Sequence, residues 1–128
     1  MPTACARSAI EVRAIVLGDL PAIGVGARHR PPAAADMTME IEAARLLVWQ
    51  AAWKKDQKQS YSHVASMAKV YASEVAMRAS TQCVQIHGGF GFMRESGIER
   101  LMRDAKITQI YEGTSEIQRV VIAKNLIK

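Results

Sequence analysis

At 128 residues the chain has room for one domain, and a hydrophobic fraction of 49% is ordinary for a soluble globular protein. The net charge of +5 arises from 17 basic and 12 acidic residues that are interspersed, with Lys54, Lys55 and Lys58 the one local cluster and only 5% aromatics. That balance favours small anionic ligands or plain solubility over nucleic acid, which requires a concentrated basic face with aromatics between. No apolar run approaches a membrane span. Cys5 and Cys83 read as reduced thiols, and with His29, His63 and His87 scattered there is no metal-ligand spacing, so no metal is assigned.

Residues 1–34 are rich in proline and glycine, and the stretch 24–35 has no helical or strand period, so this segment is expected to be poorly ordered. Ile10, Val12, Ile15, Val16 and Leu17 suit one short helix or strand, but nothing flanking them supplies a partner. The arginines before Asp36 loosely resemble a transit peptide, whereas Glu11, Asp19 and the shortage of serine argue against one.

From Asp36 the pattern becomes helical. Asp36 can cap a helix carrying Met37, Ile41, Ala44, Val48, Ala51 and Ala52 on one stripe, ending near Lys58. Ser62 can cap a second helix whose face reads Val64, Met67, Ala68, Tyr71, Val75, Ala79, Cys83 and Ile86, with Gly88 and Gly89 as its stop. Alanines 65, 68, 72, 76 and 79 leave little bulk, so a neighbouring helix can approach closely. Ser96 and Glu99 have capping-box spacing ahead of a short helix through Ile98, Leu101 and Met102, with Arg103 and Lys106 near its negative end. Ser115 and Gln118 repeat that spacing ahead of a last helix with Ile117, Val120, Val121 and Ile127. The expected fold is all-α, an up-down helical bundle.

Two segments can carry chemistry. Glu112 sits on a glycine hinge, Gly113, just before the last helix, whose first amides are unpaired and suit a phosphate. A glutamate can take a proton from carbon if it is held against that carbon and kept from water. On residue types alone, a solvated loop carboxylate is the favoured reading. The run Gln85-Ile86-His87-Gly88-Gly89-Phe90-Gly91 exposes backbone amides that can cradle phosphate, although a helix stop and turn is again the plainer reading. Met67, Met77, Trp49 and Trp53 read as core or interface packing.

Taken together, Gln85-Ile86-His87-Gly88-Gly89-Phe90-Gly91, Leu101-Met102-Arg103-Asp104-Ala105-Lys106-Ile107 and Ile110-Tyr111-Glu112-Gly113-Thr114-Ser115-Glu116-Ile117-Gln118-Arg119 closely resemble the carboxyl-terminal domain of acyl-CoA dehydrogenases. The likeness covers residues 35–128, including Glu42-Ala43-Ala44-Arg45-Leu46-Leu47, and leaves 1–34 unmatched. It implies a four-helix bundle that pairs with a neighbouring subunit and helps enclose FAD. It further implies that Glu112 takes the α-proton of an acyl-CoA thioester while the β-hydrogen leaves as hydride to the flavin. The glutamate's own amide, with a flavin hydroxyl, would polarise the thioester carbonyl. By the same resemblance Gly113 lines the acyl-CoA site, Thr114, Ser115 and Glu116 border FAD, and Gln85, Ile86, His87, Gly88 and Gly89 reach the FAD of the partner subunit. Glutamate at this position suggests the short, medium or branched-chain lineage.

A family member also has an amino-terminal helical domain, a middle β-domain and a first bundle helix, none of which this chain matches. The expectation is therefore a truncated fragment that is inactive alone and self-associates or pairs with a complementing chain. The rival reading is a non-catalytic helical interaction module derived from the family. Electron-transfer flavoprotein is the family's electron acceptor, and the compartment leans to bacterial cytoplasm, with mitochondrial matrix as the eukaryotic equivalent.

Overall fold

The computed structural model describes residues 30–127, with side chains from residue 34 onward. Four helices follow in order, α1 (Arg30–Asp56), α2 (Ser62–Phe92), α3 (Ile98–Thr108) and α4 (Ser115–Leu126), with a 3₁₀ turn (Arg94–Ser96) before α3. No strand occurs among the described residues, as the all-α expectation requires. No helix among them is long and apolar enough to cross a membrane.

The bundle is organised around α2, which packs against α1, α3 and α4, while those three make no packing pair with one another. The reason lies in α2's side chains. Val64, Ala68, Ala72, Val75, Ala76, Ala79 and Cys83 are all buried, and Ser73 and Ser80 are buried on the remaining faces. Small residues on every side let three helices approach one. The two serines are satisfied within the helix, Ser73 Oγ donating to the Val70 carbonyl at 2.9 Å and Ser80 Oγ to that of Met77 at 3.1 Å. Met37, Ile41 and Ala44 of α1 and Ile98 of α3 complete the core, with Tyr71, Ile86 and Leu101 packed at its edge.

Helix boundaries depart from the sequence reading in two places, at the start of α1 and at Gly88. The first helix begins at Arg30, earlier than Asp36. The two prolines that follow fall in its first turn, where a missing N–H removes no helical bond and the fixed φ suits the helix. Of the segment 1–34, residues 1–29 lie outside the described residues. Gly88 does not end α2. It breaks it at φ 59, ψ −144, and helical turns resume to Phe92. Between α1 and α2, Lys58 adopts φ 56 and the Gln59 amide reaches the Lys54 carbonyl at 2.9 Å, which closes α1 with a left-handed C-cap.

One expected core stripe is confirmed and another feature is not. Met37, Ile41, Ala44 and Ala51 are buried, whereas Ala52 is exposed. Trp49 and Trp53 are 57% and 56% exposed, and with Leu46 at 59% they form an apolar face on the side of α1 away from α2. They are not core residues of this chain. Arg45 stacks over the Trp49 ring at 4.7 Å and pairs with Glu42.

Candidate active site

The loop between α3 and α4 carries the candidate base. It begins where Thr108, buried, bonds its hydroxyl to the Ala105 carbonyl at 2.7 Å, and it is closed by the Ser115 amide donating to the Gln109 carbonyl at 3.1 Å. At its tip Glu112 has φ 53 and Gly113 φ 91. A left-handed glutamate is disfavoured by its Cβ, by about 1–2 kcal/mol, and persists only where surrounding contacts over-determine it.

Two such contacts exist. Gln118 Nε2, one turn into α4, donates to the Glu112 carbonyl at 3.1 Å, and Lys69 Nζ, from α2, donates to the Gly113 carbonyl at 2.7 Å. Consecutive carbonyls are thus gripped from two helices. The Glu112 side chain itself is exposed in this chain.

The start of α4 differs in register from the capping box read in the sequence. Thr114, not Ser115, is the N-cap, its hydroxyl accepting from the Ile117 amide at 3.4 Å. Ser115 is the first helical residue, 5% exposed, and its hydroxyl has no hydrogen-bond partner among the described residues. Hydrogen bonds from its own backbone amide, then from the Thr114 hydroxyl, hold the Glu116 carboxyl below the usual glutamate range, and the Arg119 and Lys106 charges act in the same direction. The positive end of α4 therefore already favours an anion.

Beside it lies an open cleft of about 160 Å³ whose lining includes Lys106, Gln109, Thr114, Ser115 and Arg119. Arg119 pairs with Glu74 of α2, and Lys106 donates to the Gln109 side chain at 2.9 Å. The structure thus brings Glu112, Gly113, Thr114, Ser115 and Glu116 together at one end of the bundle.

Gln85, Ile86, His87, Gly88 and Gly89 are not part of that group. Gln85 lies 16 residues past Lys69 on the same helix, or about 24 Å at 1.5 Å per residue. Gln85, Gly88 and Gly89 are exposed, whereas His87 is 4% exposed. The His87 Nδ1–H donates to the Cys83 carbonyl at 2.8 Å, and its Nε2 is buried without a partner among the described residues. No group of three His, Cys, Asp or Glu side chains among the described residues is placed to hold a metal.

Lys69 and Glu74 were not singled out in the sequence, although a signal was present. Lys69 is the only charged residue between Val64 and Ser73, inside a stretch otherwise made of small and apolar side chains. A charge in such a stretch needs a partner, and here it is a backbone carbonyl 44 residues away.

Comparison with known proteins gives the same assignment from three directions. A family model described as acyl-CoA dehydrogenase, C-terminal domain, matches residues 32–127. A probable acyl-CoA dehydrogenase of Bacillus subtilis, YngJ, is 56% identical over 94 residues, covering 73% of this chain and 25% of that protein. The human mitochondrial short-chain specific acyl-CoA dehydrogenase is 54% identical over 94 residues, with 73% of this chain and 23% of that protein covered. In structure, butyryl-CoA dehydrogenase from Megasphaera elsdenii superposes with a TM-score of 0.84 at 41% identity, covering 97% of this chain and 35% of that one. The chain thus spans about a quarter of the length of the curated relatives it matches. Residues 32–127 are an acyl-CoA dehydrogenase carboxyl-terminal domain, and the chain belongs to the acyl-CoA dehydrogenase family.

Proposed function

We propose that this chain supplies the catalytic base of an FAD-dependent α,β-dehydrogenation of an acyl-CoA thioester, and that it does so as part of an assembly with flavin-holding domains. The observation that carries the reading is the left-handed Glu112, held by two carbonyl contacts at the start of α4. Strain kept in place by contacts from two helices is a mark of a positioned side chain.

Glu112 takes the α-proton onto its carboxylate. Its side chain is exposed in the chain alone, so the water exclusion that a carbon acid requires comes from the domains that would cover it. Gly113, with no side chain, lets the thioester lie against the hinge backbone. The peptide amide of Glu112 is the donor for the thioester oxygen as negative charge develops there.

The residues present fit one edge of FAD. The buried Ser115 hydroxyl, without a partner among the described residues, and Lys106 and Arg119 beside the cleft are donors that suit an anionic cofactor, with Glu74 and Glu116 also in the lining. A volume of about 160 Å³ holds only part of such a molecule. Thr114, Ser115 and Glu116 would border it. FAD, when bound, supplies the acceptor for the β-hydride. Gln85, Ile86, His87, Gly88 and Gly89 lie too far along α2 to share that edge, which supports their facing the cofactor of a partner subunit in a homo-oligomer or complemented assembly. Electron-transfer flavoprotein is the acceptor we expect for the reduced assembly, and bacterial cytoplasm the compartment.

The test is co-expression with a polypeptide carrying the amino-terminal and middle domains of a family member. Flavin content and acyl-CoA oxidation are then compared for the wild type and Glu112→Gln. Activity lost only in the substituted chain supports the enzyme reading. An equally inert wild type supports the rival, a non-catalytic helical interaction module.

A further inference from the structure

We propose that Lys69 is a positioning residue for the base, acting as a direct tie between the Glu112–Gly113 hinge and the central helix of the bundle. The proposal rests on Glu112 being the base, and its first test is independent of that.

The two contacts on the hinge are unequal. Gln118 belongs to α4, so its bond to the Glu112 carbonyl moves with α4 and fixes only the local turn. Lys69 belongs to α2, the helix to which every other helix is packed, and its bond to the Gly113 carbonyl is charge-assisted at 2.7 Å. Arg119 and Glu74 also join α4 to α2, but they do so beyond the hinge, inside the helix. The loop's backbone bonds, from the Ser115 amide to the Gln109 carbonyl and from the Tyr111 amide to the Ile107 carbonyl, join it to α3 and the start of α4 and engage neither the Glu112 nor the Gly113 carbonyl.

The left-handed backbone of Glu112 must be held against its own preference, since a residue with a Cβ relaxes readily out of that region. Removing Gln118 leaves the tip anchored to α2 through Lys69. Removing Lys69 takes away the direct bond from the tip to α2 and leaves Gln118 of α4 to hold the Glu112 carbonyl. The ammonium at Lys69 therefore sets where the carboxylate of Glu112 stands relative to the rest of the fold, without touching substrate itself.

The experiment begins with the 128-residue chain by NMR. In the wild type, a cross-relaxation contact between the Lys69 ε-protons and the Thr114 amide is expected, and its absence overturns the tie with no variant needed. In Lys69→Met, the Glu112 Cα and Cβ shifts should leave their left-handed values while the signals of α3 and the buried α2 residues stay put. Lys69→Arg should restore them. A hinge unchanged in Lys69→Met overturns the proposal.

In the complemented assembly, Lys69→Met should lower kcat by about tenfold or more with KM within about twofold, and Lys69→Arg should recover most of it. A released hinge with undiminished kcat would overturn the positioning role. If the wild-type assembly itself is inert, the assignment of Glu112 as base fails, and the tie is judged on the backbone signals alone.

Discussion

Gln118 Nε2 stands 2.7 Å from where a Cβ on Gly113 would sit, so the side chain that bonds the Glu112 carbonyl occupies space that only a glycine leaves. The glycine is needed twice over, because its φ of 91 is also one that L side chains rarely adopt.

Gly113→Ala should therefore displace the Gln118 amide and strain the hinge together. The backbone strain is about 1–2 kcal/mol, and the displaced hydrogen bond adds on the order of 0.5–1.5 kcal/mol. Urea unfolding of the chain should register the loss, and the Glu112 backbone signals should shift with it. An alanine variant as stable as the wild type would mean the hinge is not held as described.

The glycines at the end of α2 should separate packing from function. A Cβ on Gly91 would meet His87 Cβ at 2.7 Å and the Val84 carbonyl oxygen at 2.9 Å, so Gly91→Ala should cost about 1–3 kcal/mol by overpacking. A Cβ on Gly89 meets nothing within 4 Å. Gly89→Ala should leave stability within about 0.5 kcal/mol while lowering flavin retention in the complemented assembly. Unchanged flavin retention would remove Gly89 from the cofactor surface.

Acid should weaken the start of α4. The Glu116 carboxyl is held below its usual value of 4.5 by its own amide and the Thr114 hydroxyl, so it binds its proton more weakly folded than unfolded. Its contribution is fully present above pH 4.5 and is lost as pH falls through the lower folded value. Thermal unfolding followed from neutral pH into that window should show the wild type losing more stability than Glu116→Gln. Parallel curves would contradict it.

The exposed face formed by Leu46, Trp49 and Trp53 should drive association of the isolated chain. Sedimentation at rising concentration should reveal species larger than one chain, and Leu46→Glu with Trp53→Glu should reduce them without loss of helix. A dispersed monomer at all concentrations would show that this face needs no cover.

Much of this was readable in the residues. Helical spacing gave the four helices, and the motif around Glu112 gave the hinge and the start of α4 to within a residue. What eluded the sequence was decided by tertiary contacts. Ser115 and Gln118 have capping-box spacing, but Gln118 is drawn to the Glu112 carbonyl, so the cap passes to Thr114. Gly88 and Gly89 look like a stop, yet only Gly88 leaves helical dihedrals, and Gly91, packed tightly on His87, lies in the turns that follow. Lys69 stands out as a lone charge in a small, apolar stretch, but its partner is a backbone carbonyl far along the chain, which no local pattern identifies.

Glu112, as the proposed base, should exchange a proton with the α-carbon of an acyl-CoA. The most direct measurement is incorporation of solvent deuterium at that carbon by the complemented assembly in heavy water, for wild type and Glu112→Gln at matched flavin content. Exchange is expected in the wild type and none above background in the variant. Equal exchange in both would contradict the assignment of Glu112 as the base.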